Sequence, residues 1–569
     1  MVNLTVNQEY KAQVAIIGGG IAGAWVALKL ARAGIDTLMI NYSGTDRGGV
    51  LGSTARSVGA VNTSPLERSD FREFMNQLGL GQVHPSVVGM MMDRLREELA
   101  DLQTQGDFKP IKLGVALANG NAGTLLRNLQ KQFKAAGGRF LDAWVTRLVA
   151  DRYTCSGVQY QAGDTIGKVL APVIVIASGG YAGLYDGSVK TNNYGTMVGR
   201  FLQAGGMATN LEFVFKHGYG KPDLGALQPT EELPGAEVYD SDHTHVEWLE
   251  RELFEGRGTA NHLEAFKHWR NNKEKDFFID LKYREVYLKV RELNSAYAVG
   301  AEAVAAALQG LTEMCPAAER GALDALLGGW VQAGERIDFE RFSRIKPLFY
   351  AVAKGEVFRV RQIAYFSMGG IGHINCATNL ANVFVTGEAM HDFGAHRVGG
   401  LPWGLYLAAG SEIFEQIKRQ VDASTLTGGD FELIPRHSRF DSELLEELRI
   451  GLFQHQERDL NIVNATKFIS WVRSRRRALL AVGAGADDAV AWTILAEGIM
   501  QASLHRGESR GCFYRADHPM SLEQMKGRFS CVEYDVEGDV VNARMIRISE
   551  LSNALFRDEH EYSYRLAVG

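Results

Sequence analysis

Short apolar runs that end in glycine recur along the chain. The first covers residues 12–17 (AQVAII) and leads into the sequence GGGIAG at 18–23. An amphipathic stretch (AWVALKLARAG) follows and ends at Gly34, and a second apolar run occupies residues 36–40. A strand, a glycine turn, a helix and a second strand in this order predict a βαβ unit, which is typical of a doubly wound parallel sheet.

Two later apolar runs have the same form. Residues 168–177 (KVLAPVIVIA) are continuously apolar rather than alternating, as expected of a parallel strand buried on both faces, and lead into SGG at 178–180. Residues 382–386 (NVFVT) lead into Gly387 and Glu388. We assign the three glycine-terminated strands to one sheet whose carboxyl ends face a common ligand.

The remaining segments differ in composition from these strands. A long middle stretch is rich in charged residues and helix formers, and the chain turns helical again from about residue 436. Residues 531–548 predict a hairpin with the turn EGD at 537–539. The predicted α/β organisation is a doubly wound domain in two parts (1–208 and 367–435), an inserted domain (209–366), a helical domain (436–530) and a hairpin with a tail (531–569).

Composition and charge narrow the class of protein. The chain has 569 residues, of which 46% are apolar and 22% charged, a balance typical of globular proteins. Its 61 basic and 67 acidic residues give a net charge of −6, so no basic field exists to hold nucleic acid or an anionic membrane. No apolar run approaches the ~20 residues of a membrane span, and the N-terminus (MVNLTVNQEYKAQ) is too polar for a signal peptide. We therefore predict a cytoplasmic protein without a membrane span.

Cysteine usage argues against several kinds of site. The 5 cysteines are scattered along the chain, and none forms a Cys-x-x-Cys pair. We expect neither a disulfide framework nor a zinc or iron–sulfur cluster, and we predict no metal site.

Glycine is the residue type that points to a ligand. The chain has 63 glycines in 569 residues, about 11%, which exceeds the usual ~7%. Gly18, Gly20 and Gly23 have the Gly-x-Gly-x-x-Gly spacing, which permits a tight turn, close approach of a pyrophosphate and packing of the helix on the strand. The residue after the second strand is Asn41 instead of the acidic residue that usually binds the ribose. The pattern predicts a dinucleotide site and is compatible with both FAD and NAD.

Seven short segments distinguish between these cofactors. They are LGST (51–54), ASGG (177–180), LEF (211–213), MGGI (368–371), GE (387–388), GAHRVG (394–399) and ESRG (508–511). Their order and spacing resemble the flavoprotein subunits of succinate dehydrogenase and fumarate reductase, together with L-aspartate oxidase. The resemblance covers nearly the whole chain. It implies a Rossmann-like FAD-binding domain, an inserted α+β capping domain and a C-terminal helical domain.

The resemblance also implies a set of FAD-binding residues. Those implied are Gly18, Gly20, Ala22 and Gly23 at the pyrophosphate; Asn41, Ser53, Thr54, Gly59 and Glu388 at the ribose and ribityl groups; Val145 at the adenine; Gly399, Leu401 and Trp403 at the flavin; and Gly52, Ala177, Ser178, Gly179 and Arg397 elsewhere in the site. Pro402 suits the first turn of a helix whose positive end would face the flavin N1–C2=O region. Succinate dehydrogenases carry a flavin-linked histidine at the position of Ser53, so we predict non-covalent FAD.

The substrate side keeps part of the family's residues. Arg397 matches an arginine that anchors a substrate carboxylate, and His217 matches a substrate-binding histidine, although the Pro-Thr that follows it in the family is absent. Tyr365 stands where a second histidine is expected, and His396 replaces the asparagine before the arginine. These four residues are the predicted catalytic residues.

Other basic residues have two interpretations each. The family's proton-moving arginine from the cap has no clear match, because Arg284 and Arg291 lie in the right region but are also typical of solvated helices. Arg510 fits a structural or a catalytic role. The basic run VRSRRR at 472–477 predicts a solvated face or, alternatively, a docking surface for an anionic partner.

The retained cofactor residues and altered substrate residues predict an FAD-dependent oxidoreductase. It would exchange a hydride between flavin N5 and a small carboxylate-bearing substrate other than succinate, oxidising an amino or organic acid. One alternative is the flavin subunit of a multi-subunit, fumarate-reductase-like complex with an electron-transfer partner. Another is an NAD(P)H-dependent flavin monooxygenase, although no second Gly-x-Gly-x-x-Gly follows a strand. The substrate, the electron acceptor and the oligomeric state stay open.

Overall fold

The chain separates into two compact units. The larger unit comprises Met1–Tyr185, Lys190–Phe215 and Phe366–Gly569, and the smaller unit comprises Asp186–Val189 and Lys216–Tyr365. The computed structural model describes residues 5–43, 59–111, 114–118, 122–151, 153–186, 188, 193–220, 237–239, 286–289, 357–391, 393–397, 399–423, 431–436, 440–458, 460–515 and 517–556. For 5–8, 216–220, 237–239, 286–289, 357–363, 421–423 and 457–458 it describes the backbone alone.

The described elements alternate between strands and helices in the first half of the chain and become mainly helical near the end. The strands are β1 (Thr5–Lys11), β2 (Val14–Ile17), β3 (Thr37–Ile40), β4 (Val61–Asn62), β5 (Phe108–Ile111), β6 (Gly114–Leu117), β7 (Arg139–Leu141), β8 (Trp144–Ala150), β9 (Cys155–Ala162), β10 (Thr165–Leu170), β11 (Val173–Ile176), β12 (Met207–Thr209), β13 (Val214–Gly220), β14 (Glu237–Tyr239), β15 (Val286–Lys289), β16 (Val357–Ser367), β17 (Gly370–Ile371), β18 (Val383–Val385), β19 (Arg528–Asp535) and β20 (Val540–Arg547). The α-helices are α1 (Ile21–Arg32), α2 (Ser64–Glu67), α3 (Phe71–Leu78), α4 (Pro85–Gln103), α5 (Ala122–Ala135), α6 (Thr196–Gln203), α7 (Leu401–Ala423), α8 (Ser442–Leu452), α9 (Ile462–Ala481), α10 (Asp488–His505) and α11 (Leu551–Leu555).

A five-stranded sheet in the larger unit has the order β18-β11-β2-β3-β7, and every neighbouring pair is parallel. All side chains of β2, β3, β11 and β18 are buried. The prediction that the glycine-terminated strands share one sheet is confirmed. From β2 the chain passes through α1 to β3 on one side, whereas β11 lies on the other side. The strand order therefore reverses between β2 and β11, and in such sheets ligands bind at the carboxyl ends beside this point.

Residues 168–177 form two strands, so the prediction of one continuous strand is wrong. β10 pairs with β1 and β9 in a second sheet of order β1-β10-β9-β8, and β11 pairs with β2 and β18 in the parallel sheet. Pro172 separates them because it has no N–H to donate to a ladder. Its carbonyl accepts a hydrogen bond from Asn382 Nδ2 at 2.8 Å. Both strands are largely buried, which is why the apolar pattern alone did not reveal the break.

The predicted C-terminal hairpin is confirmed as β19 and β20, which pair from Arg528↔Arg547 to Asp535↔Val540 around the predicted turn. It belongs to a four-stranded sheet of order β17-β12-β19-β20. Met207, Phe529 and Cys531 are fully buried in an apolar cluster that Leu551 of α11 completes. Strands β4, β6 and β5 form a further small sheet in that order.

The basic run at 472–477 lies in α9, and the prediction of a solvated face is wrong for Arg476. This side chain is fully buried, and its Nε lies 2.5 Å from Asp539 Oδ1 in the hairpin turn. Arg473 Nε contacts Glu497 Oε1 of α10 at 2.6 Å, and Glu497 also pairs with Arg476. Because α9 packs on α10, part of the run forms internal ion pairs; Arg477 is still 63% exposed.

The described residues of the smaller unit lie mainly in a four-stranded sheet of order β13-β16-β15-β14. β15 pairs antiparallel with both β14 and β16. The five-part division and the capping role of residues 209–366 stay predictions. Among the described helices, none combines the length and apolar character that a membrane crossing needs.

Candidate functional site

Two glycine turns meet where the strand order reverses. Gly18, directly after β2, has a φ of +106°, and a Cβ there would lie 2.4 Å from the Ala177 carbonyl oxygen at the end of β11. A Cβ at Gly23 would lie 2.1 Å from the Gly18 carbonyl oxygen. Both positions therefore exclude any side chain. Because these glycines have no side chain, the chain turns directly after β2 and its backbone stays accessible at the sheet edge.

The middle of this turn is fixed by two side chains. Asn41, directly after β3, accepts a hydrogen bond at Oδ1 from the Gly19 N–H at 2.9 Å. Gln130 of α5 donates from Nε2 to the Gly19 carbonyl at 2.9 Å. Asn41 thus orders the turn, a role that an acidic residue there would also fill. Sequence reasoning missed Gln130, because nothing in the local pattern of α5 marks this residue.

The turn leads into the N-terminus of α1. The cap is Gly20, which has no side chain to cap the helix, and the first turn contains no acidic residue. The positive end of the helix dipole is therefore not neutralised from within the helix, and this suits a phosphate. Ala22 and Gly23 lie in this first turn. The turn formed by residues 18–23, which we call the glycine cradle, and the N-terminus of α1 together fit the pyrophosphate of a dinucleotide.

A second turn follows β11. Gly179 has a φ of +82°, and a Cβ at Gly180 would lie 1.8 Å from Ser367 Oγ. Glu388, after β18, is buried and accepts hydrogen bonds from the Ser367 N–H and hydroxyl, each at 3.1 Å. Ala177 and Ser178 lie next to Gly18, since a Gly18 Cβ would come within 2.9 Å of both, and Gly179 follows them in the chain. Glu388 lies at the same edge, with Oε1 bonded to Ser367.

Two other predicted cofactor residues, Val145 and Gly59, lie in β8 and just before β4. Val145 lies in β8, and its neighbour Trp144 contacts Tyr42 edge-on at 5.9 Å, just past Asn41. Gly59 precedes β4 with a φ of +63°, and a Cβ there would lie 2.4 Å from Leu117 Cδ1. Packing against Leu117 is a sufficient reason for glycine at this position.

The helix predicted around Pro402 is confirmed as α7, which begins at Leu401. The preceding Gly400 has a φ of +78°, and its carbonyl accepts from the Asn62 N–H at 3.1 Å. A Cβ at Gly399 would meet no atom of the described residues within 4 Å. Leu401 and Trp403 of the first turn are buried.

Arg397 lies among aromatic rings of the larger unit. Its Cζ is 4.2 Å from the centroid of the Phe366 ring and 5.1 Å from that of Phe215. The neighbouring His396 contacts Phe215 edge-on at 5.4 Å. Arg397 and His396 are both 6% exposed. Stacking against rings holds the planar guanidinium in one orientation, which is what two-point recognition of a carboxylate requires.

The structure places some predicted residues and not others. Gly52, Ser53, Thr54, Arg284 and Arg291 lie outside the described residues, and His217 is described by its backbone in β13. Tyr365 is half-buried at the end of the smaller unit. Their roles stay predictions.

A chain of buried ion pairs includes Arg510, for which the sequence left a structural or a catalytic role open. Arg510 contacts Glu508 with Nε at 2.7 Å and Nη2 at 2.8 Å, and donates from Nη1 to the Leu80 carbonyl at 2.9 Å. Glu508 also contacts Arg506, which pairs with Glu212. These contacts favour the structural interpretation of Arg510. Within the described residues, no group of three or more His, Cys, Asp and Glu side chains is placed to hold a metal ion.

A surface groove of about 380 Å³ lies between the end of α4 and α5. Its lining includes Gln105, Asp107, Arg127 and Lys131. None of the predicted cofactor residues lines it, so we do not assign the dinucleotide to this groove.

Comparison with known proteins identifies the fold. No protein-family model matches the chain. A segment is 26% identical over 234 residues to L-aspartate oxidase of Streptomyces coelicolor, and this match spans 36% of the chain and 40% of that protein. A point mutant of the E. coli quinol fumarate reductase FrdA superposes with a TM-score of 0.67 at 15% identity, covering 95% of this chain and 97% of its own.

The chain has the fold of this fumarate reductase. The adenylylsulfate reductase of Archaeoglobus fulgidus also shares it, with a TM-score of 0.62 at 13% identity over 96% of this chain and 97% of that one. The resemblance and the fold class predicted from the sequence are confirmed. All three relatives carry the names of redox enzymes, and they differ in the substrates that those names state.

Within this fold, His373 is a buried histidine that sequence reasoning did not single out. Its Nε2 lies 2.7 Å from the His391 carbonyl, and its Nδ1 accepts from the Cys376 N–H at 3.3 Å. One ring nitrogen is therefore a donor and the other an acceptor, which is the neutral form. Burial lowers the pKa of His373 from 6.5 to about 4.

We expect His373 to make folding stability depend on pH. The unfolded chain binds a proton below pH 6.5 and the folded chain only near pH 4, so stability is full above pH 6.5 and falls as the pH drops toward 4. The expected loss from this residue between pH 7 and pH 5 is about 2 kcal/mol. Urea unfolding of the wild type and His373→Gln at both pH values measures it. His505→Gln, at an exposed histidine, should keep the wild-type dependence. Equal pH dependence in wild type and His373→Gln would contradict the assignment.

Proposed function

We propose that the protein is an FAD-dependent oxidoreductase acting on a small carboxylate-bearing substrate. The observation that carries the proposal is the contact between the two glycine turns, in which the Gly18 backbone packs against Ala177 where the strand order reverses. This edge is where doubly wound sheets bind dinucleotides. The fold shared with fumarate reductase and the match to L-aspartate oxidase support FAD over NAD.

Different residues of the chain would bind different parts of the cofactor. The N–H groups at the start of α1 would bind the pyrophosphate, and Asn41 and Gln130 hold Gly19 by hydrogen bonds in the turn. The N-terminus of α7, with Pro402 in its first turn, would interact with the flavin through its positive end. When bound, FAD supplies an acceptor for a hydride at flavin N5.

Arg397 binds the substrate carboxylate in this proposal. A guanidinium recognises both carboxylate oxygens at once, and the contacts with Phe366 and Phe215 fix its plane. The buried position strengthens the charge interaction because little water screens it. The carboxylate contact would hold the substrate in one orientation, and His396 beside it would supply a second polar group.

We infer that the substrate is an amino or organic acid other than succinate, oxidised in the cytoplasm. Tyr365 in place of a histidine removes a cationic group from the expected substrate side, since tyrosine is uncharged near neutral pH. The similarity to L-aspartate oxidase supports the oxidative direction. Ser53 in place of a flavin-linked histidine supports non-covalent flavin.

The presence and the binding mode of the flavin test the proposed function. Purified protein should be yellow, and acid precipitation should leave the FAD in the supernatant. Yellow colour in the pellet would refute non-covalent binding, and colourless protein that cannot take up FAD would refute the function. Anaerobic titration with amino acids, dicarboxylates and NADPH, following the flavin band, then identifies the substrate class. Bleaching by NADPH alone would favour a monooxygenase.

A second candidate is the flavin subunit of a multi-subunit electron-transfer complex. The fumarate reductase that shares this fold is described as a quinol fumarate reductase, which supports this alternative. The internal ion pairs of Arg476 reduce the basic surface that a partner could use. Co-purification of a cysteine-rich partner from native cells would decide in its favour.

A further inference from the structure

The segment that carries Arg397 begins at His391, and this residue is bonded on several sides. Its N–H donates to the Ile371 carbonyl at 3.3 Å, and its own carbonyl accepts from His373 Nε2 at 2.7 Å. Its ring packs edge-on against Phe529 at 4.6 Å, and its Nε2 lies 2.9 Å from Asn210 Nδ2. The segment is therefore fixed at its first residue by backbone and ring together.

The amide of Asn210 has a defined orientation. Its Oδ1 lies 3.2 Å from Arg506 Nη2 and 3.2 Å from the Ser530 N–H. Both neighbours can only donate, so the atom facing them must be the oxygen and the NH₂ must face His391. Asn210 is buried with a φ of +53°, a conformation that asparagine and aspartate tolerate better than most residues.

Arg506 is in turn fixed by groups that cannot easily move. Its Nε contacts Glu212 Oε1, its Nη1 lies 3.3 Å from Glu508 Oε1, and all three side chains are fully buried. Ser530 Oγ donates to the other oxygen of Glu212 at 2.6 Å. The ion pairs thus determine which atom of the Asn210 amide points at the histidine.

We propose that Asn210 is a positioning residue that holds His391 as the neutral tautomer with its proton on Nδ1, and thereby fixes the backbone from which Arg397 projects. An NH₂ group donates to His391 Nε2, so Nε2 must lack a proton. Protonation would place two donors face to face. Charged or titratable groups that act on His391 are Arg506, His373 and His84, and all of them disfavour a positive charge on it.

The other end of the segment is held separately. The Ala395 N–H donates to the Gly79 carbonyl at 3.2 Å, and the Ala395 carbonyl accepts from the Cys512 N–H at 3.0 Å. Loss of the Asn210 contact should therefore loosen residues 391–397 locally and leave the sheets intact. The consequence for catalysis rests on the proposed role of Arg397, whereas the positional claim does not.

The decisive variant is Asn210→Asp, which keeps size and backbone tolerance but places an acceptor opposite His391 Nε2. Two measurements on the protein as purified test the proposal. In ¹⁵N-histidine spectra of the wild type at pH 6–8, the signal lost in His391→Gln should be that of a neutral ring with unprotonated Nε2. In Asn210→Asp the same ring should be protonated on Nε2. Hydrogen exchange at residues 393–397 should be at least ~10-fold faster in Asn210→Gly, which removes the contact and tolerates the φ of +53°.

Asn382→Gly is the matched control for exchange, because Asn382 is a buried asparagine that bonds Cys155 instead. It should leave exchange at 393–397 unchanged. His391→Gln supplies an amide oxygen as acceptor and should keep exchange within about 3-fold of wild type. A wild-type His391 protonated on Nε2, or equal exchange in Asn210→Gly and Asn382→Gly, would overturn the proposal. Failure of the protein to bind FAD would refute the proposed function and leave these results standing.

Discussion

Replacing Gly18 by alanine should weaken FAD binding at least ~100-fold, which corresponds to about 2.7 kcal/mol. The new Cβ would lie 2.4 Å from the Ala177 carbonyl oxygen and 2.9 Å from Ser178 Cα, so the two turns must separate. A φ of +106° adds backbone strain for any residue but glycine. Because the pyrophosphate is proposed to bind where the turns meet, a shift there removes several N–H contacts together. Titration of FAD into flavin-free protein measures the loss.

Gly34→Ala is the matched control for this substitution. Gly34 also has a positive φ, +78°, but a Cβ there would meet no atom of the described part of the chain within 4 Å. It shares the backbone strain, roughly 1 kcal/mol, without the collision. We expect Gly34→Ala to bind FAD like the wild type. Similar FAD affinities for Gly18→Ala and Gly34→Ala would mean that the cradle does not bind the cofactor.

Replacing Arg397 should leave FAD bound but reduce substrate-driven flavin reduction at least ~1000-fold, about 4 kcal/mol. Arg397→Lys is the sharper variant, because it keeps the charge and loses the planar fork that the contacts with Phe366 and Phe215 orient. Once the titration panel has found a substrate, anaerobic stopped-flow reduction measures the rate and FAD fluorescence measures retention.

Arg475→Lys is the control for a stacked arginine. Arg475 lies 5.5 Å from the Trp471 ring and is half-exposed on α9. This variant should reduce its flavin at the wild-type rate. Wild-type rates of flavin reduction in both Arg397→Lys and Arg397→Ala would show that Arg397 does not bind the substrate carboxylate.

The sheet edge could be predicted from the sequence because its signals are local. An apolar run followed by glycine marks β2, β11 and β18, and parallel pairing then brings their ends together. The break at Pro172 was missed although proline is a known interruption, because β10 and β11 are both apolar and buried. Burial on two faces removes the alternation that would have separated two strands in different sheets.

The surroundings of the site could not be predicted in the same way. Gln130 reaches Gly19 from another helix, and Phe215 and Phe366 meet Arg397 from distant parts of the chain. The charged sequence around Arg476 predicts a solvated side chain, but Arg476 is buried and pairs with Asp539 in the distant hairpin turn. Such contacts depend on packing between elements, which no spacing within one segment encodes.

The most direct test of the central claim is a hydrogen-exchange footprint of FAD on flavin-free protein. We expect FAD to slow hydrogen exchange in four segments: residues 17–23, 176–180, 386–389 and 397–403. These segments lie in the two glycine turns, after β18 and at the start of α7. Unchanged exchange in these segments, with protection instead at the groove lined by Arg127 and Lys131, would contradict this claim.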